Sequence, residues 1–228
     1  MNYKNGCLIC GAKIIYKKAF ETECSLCHKK FSAENECENH HFICDDCHRA
    51  GISTFTDVLK ESTETSPYEL FDKLMTLDGV HMHGPEHHMM IPCILLTAYR
   101  NCGGVINIED AFSTALKRAK AVPGGTCGYW GVCGAAVGAG IYASIITESN
   151  PVNETEWYKS QELVSETGRR IAKIKGVRCC KRVSFIAFEA AAEWTKEYFG
   201  IDLKTEKTLC KYKQYNYECL KEGCPYYE

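Results

Sequence analysis

Three absences narrow the class of this chain before any motif is read. No stretch of its 228 residues approaches the roughly 20 consecutive apolar side chains that span a bilayer. No apolar run of the kind a signal peptide needs follows Met1-Asn2-Tyr3-Lys4, so neither a membrane protein nor an exported one is expected. Charge of one sign is also missing: 27 Lys and Arg stand against 29 Asp and Glu, and a formal net charge of -2 gives no basic balance to draw nucleic acid over distance. Histidine disappears beyond residue 88, all eight copies lying earlier.

Cysteine, by contrast, is abundant. Sixteen occur, seven before residue 48 and nine between 93 and 224. Without an export signal a cytoplasmic location is expected, and a reducing compartment favours thiolate ligands or redox thiols over disulfides. Residues 1–50 are polar, short of aliphatic runs and dense in Cys and His, so they cannot build a core unaided. Their ligand order is Cys7-x2-Cys10, Cys24-x2-Cys27, Cys37-x3-His41 and Cys44-x2-Cys47. Each pair supplies half a tetrahedral shell, so four pairs complete two structural zinc sites with no ligand left over. Joining first to third and second to fourth gives an interleaved, treble-clef or RING-like module; joining neighbours gives a double knuckle. Spacing leaves both open. His41 is preferred to His40 for its distance from Cys44, while His28 and His48 are read as exposed or supporting residues.

From residue 51 to 228 the pattern is helical, an all-α bundle of five or six helices with a cysteine-rich tail. Ser66-Pro67-Tyr68-Glu69 opens one helix with an N-cap, a proline at the first position and a glutamate three residues on. Pro85 opens a second, carrying Cys93 and stopping at Gly103-Gly104, with a kink expected at Pro92. Asn107 caps a third over 108–121, and others fit 132–147, 155–174 and 179–198, the last closing at Gly200.

A second chemistry belongs to this region. His81-Met82-His83-Gly84-Pro85-Glu86-His87-His88 gathers four imidazoles and a carboxylate at the mouth of the helix bearing Cys93, with His83, His87 and Glu86 as candidates for proton transfer or ligation. A loop at Gly124-Gly125 carries Cys127 and leads to Cys133, placed to begin a helix whose glycine face, Gly134 and Gly138, admits a helix or cofactor. There the unpaired N–H groups are expected to favour thiolate. Cys179-Cys180 opens the last helix among Arg178, Lys181 and Arg182 in the same manner, one sulfur facing inward. In the tail Cys210, Cys219 and Cys224 lack a fourth ligand, which Cys179 or Cys180 would provide for a third zinc or an iron–sulfur cluster.

Two resemblances follow from these residues. Cys93, the run Cys133-Gly134-Ala135-Ala136-Val137-Gly138-Ala139, and Cys179 or Cys180 resemble the redox-active family named for a C, GCAxxG, C, C pattern, though Val132-Cys133-Gly134-Ala135 departs from Gly-Cys-Ala. His83-Gly84-Pro85-Glu86-His87-His88 and the stretch Cys37 to His48 resemble the uncharacterised DUF5714 family of anaerobes, found near or fused to radical SAM or methyltransferase proteins. That likeness implies anaerobic cofactor or sulfur chemistry. The leading expectation is a redox or sulfur-handling protein in which Cys93, Cys127, Cys133 and Cys179 or Cys180 converge on an iron–sulfur cluster or form an exchanging dithiol. The alternatives are a non-catalytic zinc module docking a radical SAM or methyltransferase partner and, more weakly, a nucleic-acid-binding zinc protein.

Overall fold

A computed structural model describes residues 5–50, 55–206 and 208–228, and its two ends are built on different principles. The amino-terminal part is an antiparallel hairpin, β1 (Ile14–Glu23) and β2 (Lys30–Cys37), in register from Ile14 opposite Cys37 to Glu23 opposite Lys30. The pairing is irregular between Tyr16 and Phe20. β1 is exposed along most of its length, so the sheet has little apolar face to bury. What is buried instead is sulfur: Cys7, Cys24, Cys37 and Cys44 are nearly inaccessible. A five-residue helix, α1 (Asp45–Arg49), closes the unit and docks it on the rest of the chain. Arg49 donates to the carbonyls of Lys120 and Val122, and Asp45 accepts from the Gly124 N–H at 2.7 Å.

The remainder is helical, with no strand after Cys37 among the described residues. α2 (Phe55–Glu61) precedes α3 (Pro67–Leu74), whose Ser66 cap accepts from the Glu69 N–H as the sequence predicts. α4 (Glu86–Asn101) is buried without interruption from Met90 to Tyr99 and runs on through Pro92; it touches α2 and α3 and three later helices, α5 (Ile108–Lys120), α7 (Gly134–Ile146) and α9 (Cys180–Phe199). Asn107 caps α5 through the N–H groups of Glu109 and Asp110. A single turn, α6 (Thr126–Tyr129), precedes α7, and α8 (Trp157–Ala172) packs on both α7 and α9. α9 ends at Gly200, whose φ of 67° is the left-handed conformation that stops a helix at little cost to glycine.

The glycine face of α7 is filled by protein. A Cβ on Gly138 would lie 3.1 Å from Ile91 and Pro92, and one on Gly134 would lie 2.2 Å from the His88 ring, so both glycines permit close approach of α4. Beyond Gly200 the described tail contains two short 3-10 turns, Lys213–Tyr215 and Lys221–Gly223, and folds back over α3 and the start of α9. Tyr212 donates to Asp72 at 2.6 Å, and the Tyr226 ring meets Phe185 edge-on at 5.2 Å. No helix among the described residues is long and apolar enough to cross a membrane.

Candidate metal centres

Four half-sites in the amino-terminal part come together as two groups. Cys7, Cys10, Cys37 and His41 form one and Cys24, Cys27, Cys44 and Cys47 the other, the ligand atoms of each lying within 4.8 Å of one another. First joins third and second joins fourth, so the arrangement is interleaved. Cys10 and Cys37 sulfurs stand 3.8 Å apart, as do those of Cys27 and Cys44, and His41 Nδ1 is 3.3 Å from Cys10. A tetrahedral ion with zinc–sulfur bonds of about 2.3 Å requires sulfurs about 3.8 Å apart, so both groups can hold a metal ion and are compatible with zinc. His40 turns away to Glu36 at 2.9 Å, which leaves His41 as the ligand; His28 pairs with Glu23 in solvent. Backbone N–H groups already favour thiolate here. The Ala12 N–H, followed by Asn39, lowers Cys10 to about 6, while burial and then neighbouring thiols push Cys47 up to about 12. Sulfurs this crowded cannot all ionise without a cation among them.

The nine later cysteines separate into unlike environments. Cys93 sits in the hydrophobic core, and burial alone pushes its thiol far up. Cys127 is exposed on α6. Cys133 stands at the N-cap of α7 without a side-chain capping hydrogen bond; burial outweighs the lowering influence of the nearby Ala135 and Ala136 N–H groups and raises its pKa, contrary to the thiolate expected from the helix start. The expected meeting of Cys93, Cys127, Cys133 and the 179/180 pair therefore does not appear as one ligand set among the described residues.

A different set of four lines one small cavity: Cys179, Cys210, Cys219 and Cys224, with Arg182 and Asn216. Each sulfur is met by an N–H donor. Asn216 Nδ2 lies 3.6 Å from Cys179 and the Lys221 N–H 3.4 Å from Cys219, while the Tyr212 and Tyr226 N–H groups serve Cys210 and Cys224. Cys180 faces the other way, to the Gly84 N–H, and burial raises it to about 12. Burial lifts Cys210 to about 11. These four sulfurs do not draw within 4.8 Å of each other as the amino-terminal groups do. Beside them Lys181 is wholly buried and Arg182 nearly so. Their hydrogen bonds go to the carbonyls of Met82 and Val177, and no ion pair with a carboxylate joins either among the described residues.

The histidine cluster also converges differently from the reading of the sequence. Glu86, fully buried at the start of α4, meets His48 and His81, its Oε2 2.9 Å from His48 Nδ1 and its Oε1 3.3 Å from His81 Nδ1. His48, read as exposed or supporting, is the largely buried partner that sequence reasoning missed; it follows Cys47 directly and is delivered by α1. His87 is buried behind the site, donating through Nε2 to the His81 carbonyl at 2.9 Å, and burial lowers it to about 4. His83 faces the tail instead. Its Nε2 donates to Asn216 Oδ1 at 3.0 Å while its Nδ1 accepts from the Cys180 N–H, and burial, then Lys181 and Arg178, lower it to about 2. The loop 81–86 thus reaches the cysteine cavity on one side, through His83 and Asn216, and Glu86 on the other.

Fold and sites together define a helical protein with an interleaved pair of Cys/His groups able to hold metal ions in its amino-terminal part and further cysteines in its helical part. A family model described as a family of unknown function, DUF5714, matches residues 55–227, and the chain belongs to that family. The match takes in the cysteine cavity, His81 and Glu86 but begins after the Cys37–His48 stretch, which the sequence reading counted as part of the same likeness. No curated protein and no solved structure matches.

Proposed function

We propose that this is a metal-dependent redox protein whose electron-carrying centre is an iron–sulfur cluster held by Cys179, Cys210, Cys219 and Cys224, with two structural zinc ions in the amino-terminal groups. One observation carries the reading: Arg182 is nearly inaccessible and lines the cavity of the four cysteines with no carboxylate ion pair among the described residues, and Lys181, wholly buried, lies near Cys179 and Cys210. A buried cation without a counter-charge costs several kcal/mol, on the order of that for any unpaired buried ion. Four thiolates around a cluster supply that charge, whereas four neutral thiols do not. The sulfurs are more widely spread than the zinc-like groups, as a multi-iron core requires, and each already has an N–H donor of the kind that tunes cluster potential. When bound, the cluster would supply one-electron transfer. With all four ligands from protein, electron transfer is favoured over capture of substrate sulfur at an open iron.

Anaerobically prepared protein should contain iron and absorb visible light through thiolate-to-iron charge transfer. Cys179→Ser and Cys224→Ser should each lose most of the iron, while Cys93→Ser, altering a core thiol, should keep it. A colourless protein holding only zinc would defeat the proposal. It would favour a second reading, a non-catalytic module docking a radical SAM or methyltransferase partner. The observation on that side is the exposed trio Tyr129, Trp130 and Val132 between Cys127 and Cys133, Trp130 being 67% exposed.

A further inference from the structure

We propose that His48, His81 and Glu86 form a third metal centre, a mononuclear site for a divalent first-row transition ion with coordination positions left open. Their ligand atoms lie within 4.8 Å of one another. His48 Nδ1 and Glu86 Oε2 approach to 2.9 Å, close enough for an ion pair, yet neither atom makes a hydrogen bond. That separation is also the spacing of two adjacent ligand atoms on one ion with bonds of about 2.0–2.1 Å. Glu86 is completely buried, and its Oε2 meets the His48 imidazole outside hydrogen-bond geometry. A cation bound by both atoms satisfies them together.

The surroundings hold the ligands in place. Glu86 Oε1 accepts from the His81 N–H at 3.0 Å, which fixes the carboxylate and turns Oε2 toward His48. His87 anchors the His81 carbonyl from behind, the supporting contact that commonly orients a ligand-bearing segment. Gly84 is required by the close approach: a Cβ there would fall 2.1 Å from Glu86 Oε2 and 2.2 Å from His48 Cε1.

The donor set determines the class of ion. Two imidazole nitrogens and one carboxylate oxygen suit zinc or ferrous iron, and differ from the sulfur-rich groups elsewhere in the chain. Three protein ligands leave positions for water or substrate, the mark of a reactive centre as opposed to a structural one. The imidazoles remain 17% and 18% exposed while the carboxylate is 0%, so the open side faces solvent. His48 comes from the hairpin unit and the other two ligands from the helical region, so the ion also ties the two together.

Cobalt(II) added to the whole chain carrying two equivalents of zinc, enough for the two amino-terminal groups alone, distinguishes this centre from every thiolate site. The expected result is one further equivalent bound, with the weak visible bands of nitrogen and oxygen ligation and no sulfur charge-transfer band. His81→Ala and Glu86→Gln should each weaken it by more than about tenfold, the scale of loss when a metal site's support is removed. Cys179→Ser should leave it intact, so failure of the iron–sulfur reading and failure of this one are separable. Should circular dichroism show His81→Ala misfolded, the near-isosteric Glu86→Gln decides. Absence of the extra equivalent in the unaltered protein, or affinity unchanged in Glu86→Gln, overturns the proposal and leaves His48 and Glu86 as an ion pair between the two regions.

Discussion

The hairpin unit and the helical region bury different things and are therefore stabilised by different things. In the first, the least accessible side chains are mainly the thiols of Cys7, Cys24, Cys37 and Cys44, gathered around a two-stranded sheet; in the second they are the apolar and aromatic side chains of α3, α4, α7 and α9. Where apolar residues are scarce the chain offers two sets of ligands able to hold metal, and where they are plentiful it packs a core.

Removing the metal should break that comparison most completely. Structural zinc contributes about 10 kcal/mol or more to a small site of this kind, so a strong chelator should unfold residues 5–50 while the helical circular dichroism survives. Hydrogen exchange mapped by segment reads both at once; loss of protection in α4 and α9 to the same degree would contradict it. The reverse experiment is Phe188→Ala. This fully buried ring packs on Tyr68, Phe71 and Phe185, and its loss should cost about 3–5 kcal/mol in denaturant unfolding of the helices. The amino-terminal cysteines should stay protected from alkylation. Gly140→Ala sharpens the contrast within the helical region: a Cβ there would meet Val164 of α8 at 2.3 Å, so overpacking of about 1–3 kcal/mol is expected despite alanine's better helix propensity. Ser66→Ala, which removes only the cap of α3, should cost about 1 kcal/mol and leave metal content unchanged.

Much of the helical region was legible because helix ends carry local signals. Ser66, Asn107 and Gly200 mark ends that the structure places where the sequence puts them. α1 and α6 were not legible, being too short to display a period, and the hairpin was hidden because β1 is exposed along most of its length and its Ile14, Ile15, Tyr16 and Phe20 do not alternate with polar residues. Spacing picked out the eight amino-terminal residues that the structure gathers into two groups but not their pairing, since a half-site carries no record of which other half-site it meets. Cys93 was drawn toward function by its place beside the histidines, although its neighbours Ile91, Ile94, Leu95 and Leu96 marked it as core. Cys133 stands at its helix start as read, but its ionisation depends on burial by other elements, which no local pattern encodes. His48 needed long-range contact with Glu86, and its one local hint was its position directly after Cys47.

Arg182, buried beside the four later cysteines without a carboxylate partner among the described residues, calls for an anionic centre there. Iron K-edge X-ray absorption of anaerobically prepared protein addresses that directly. An all-sulfur first shell with a second iron close by, both lost in Cys224→Ser, is the expected spectrum. Iron absent, or iron surrounded by nitrogen and oxygen alone, would contradict it.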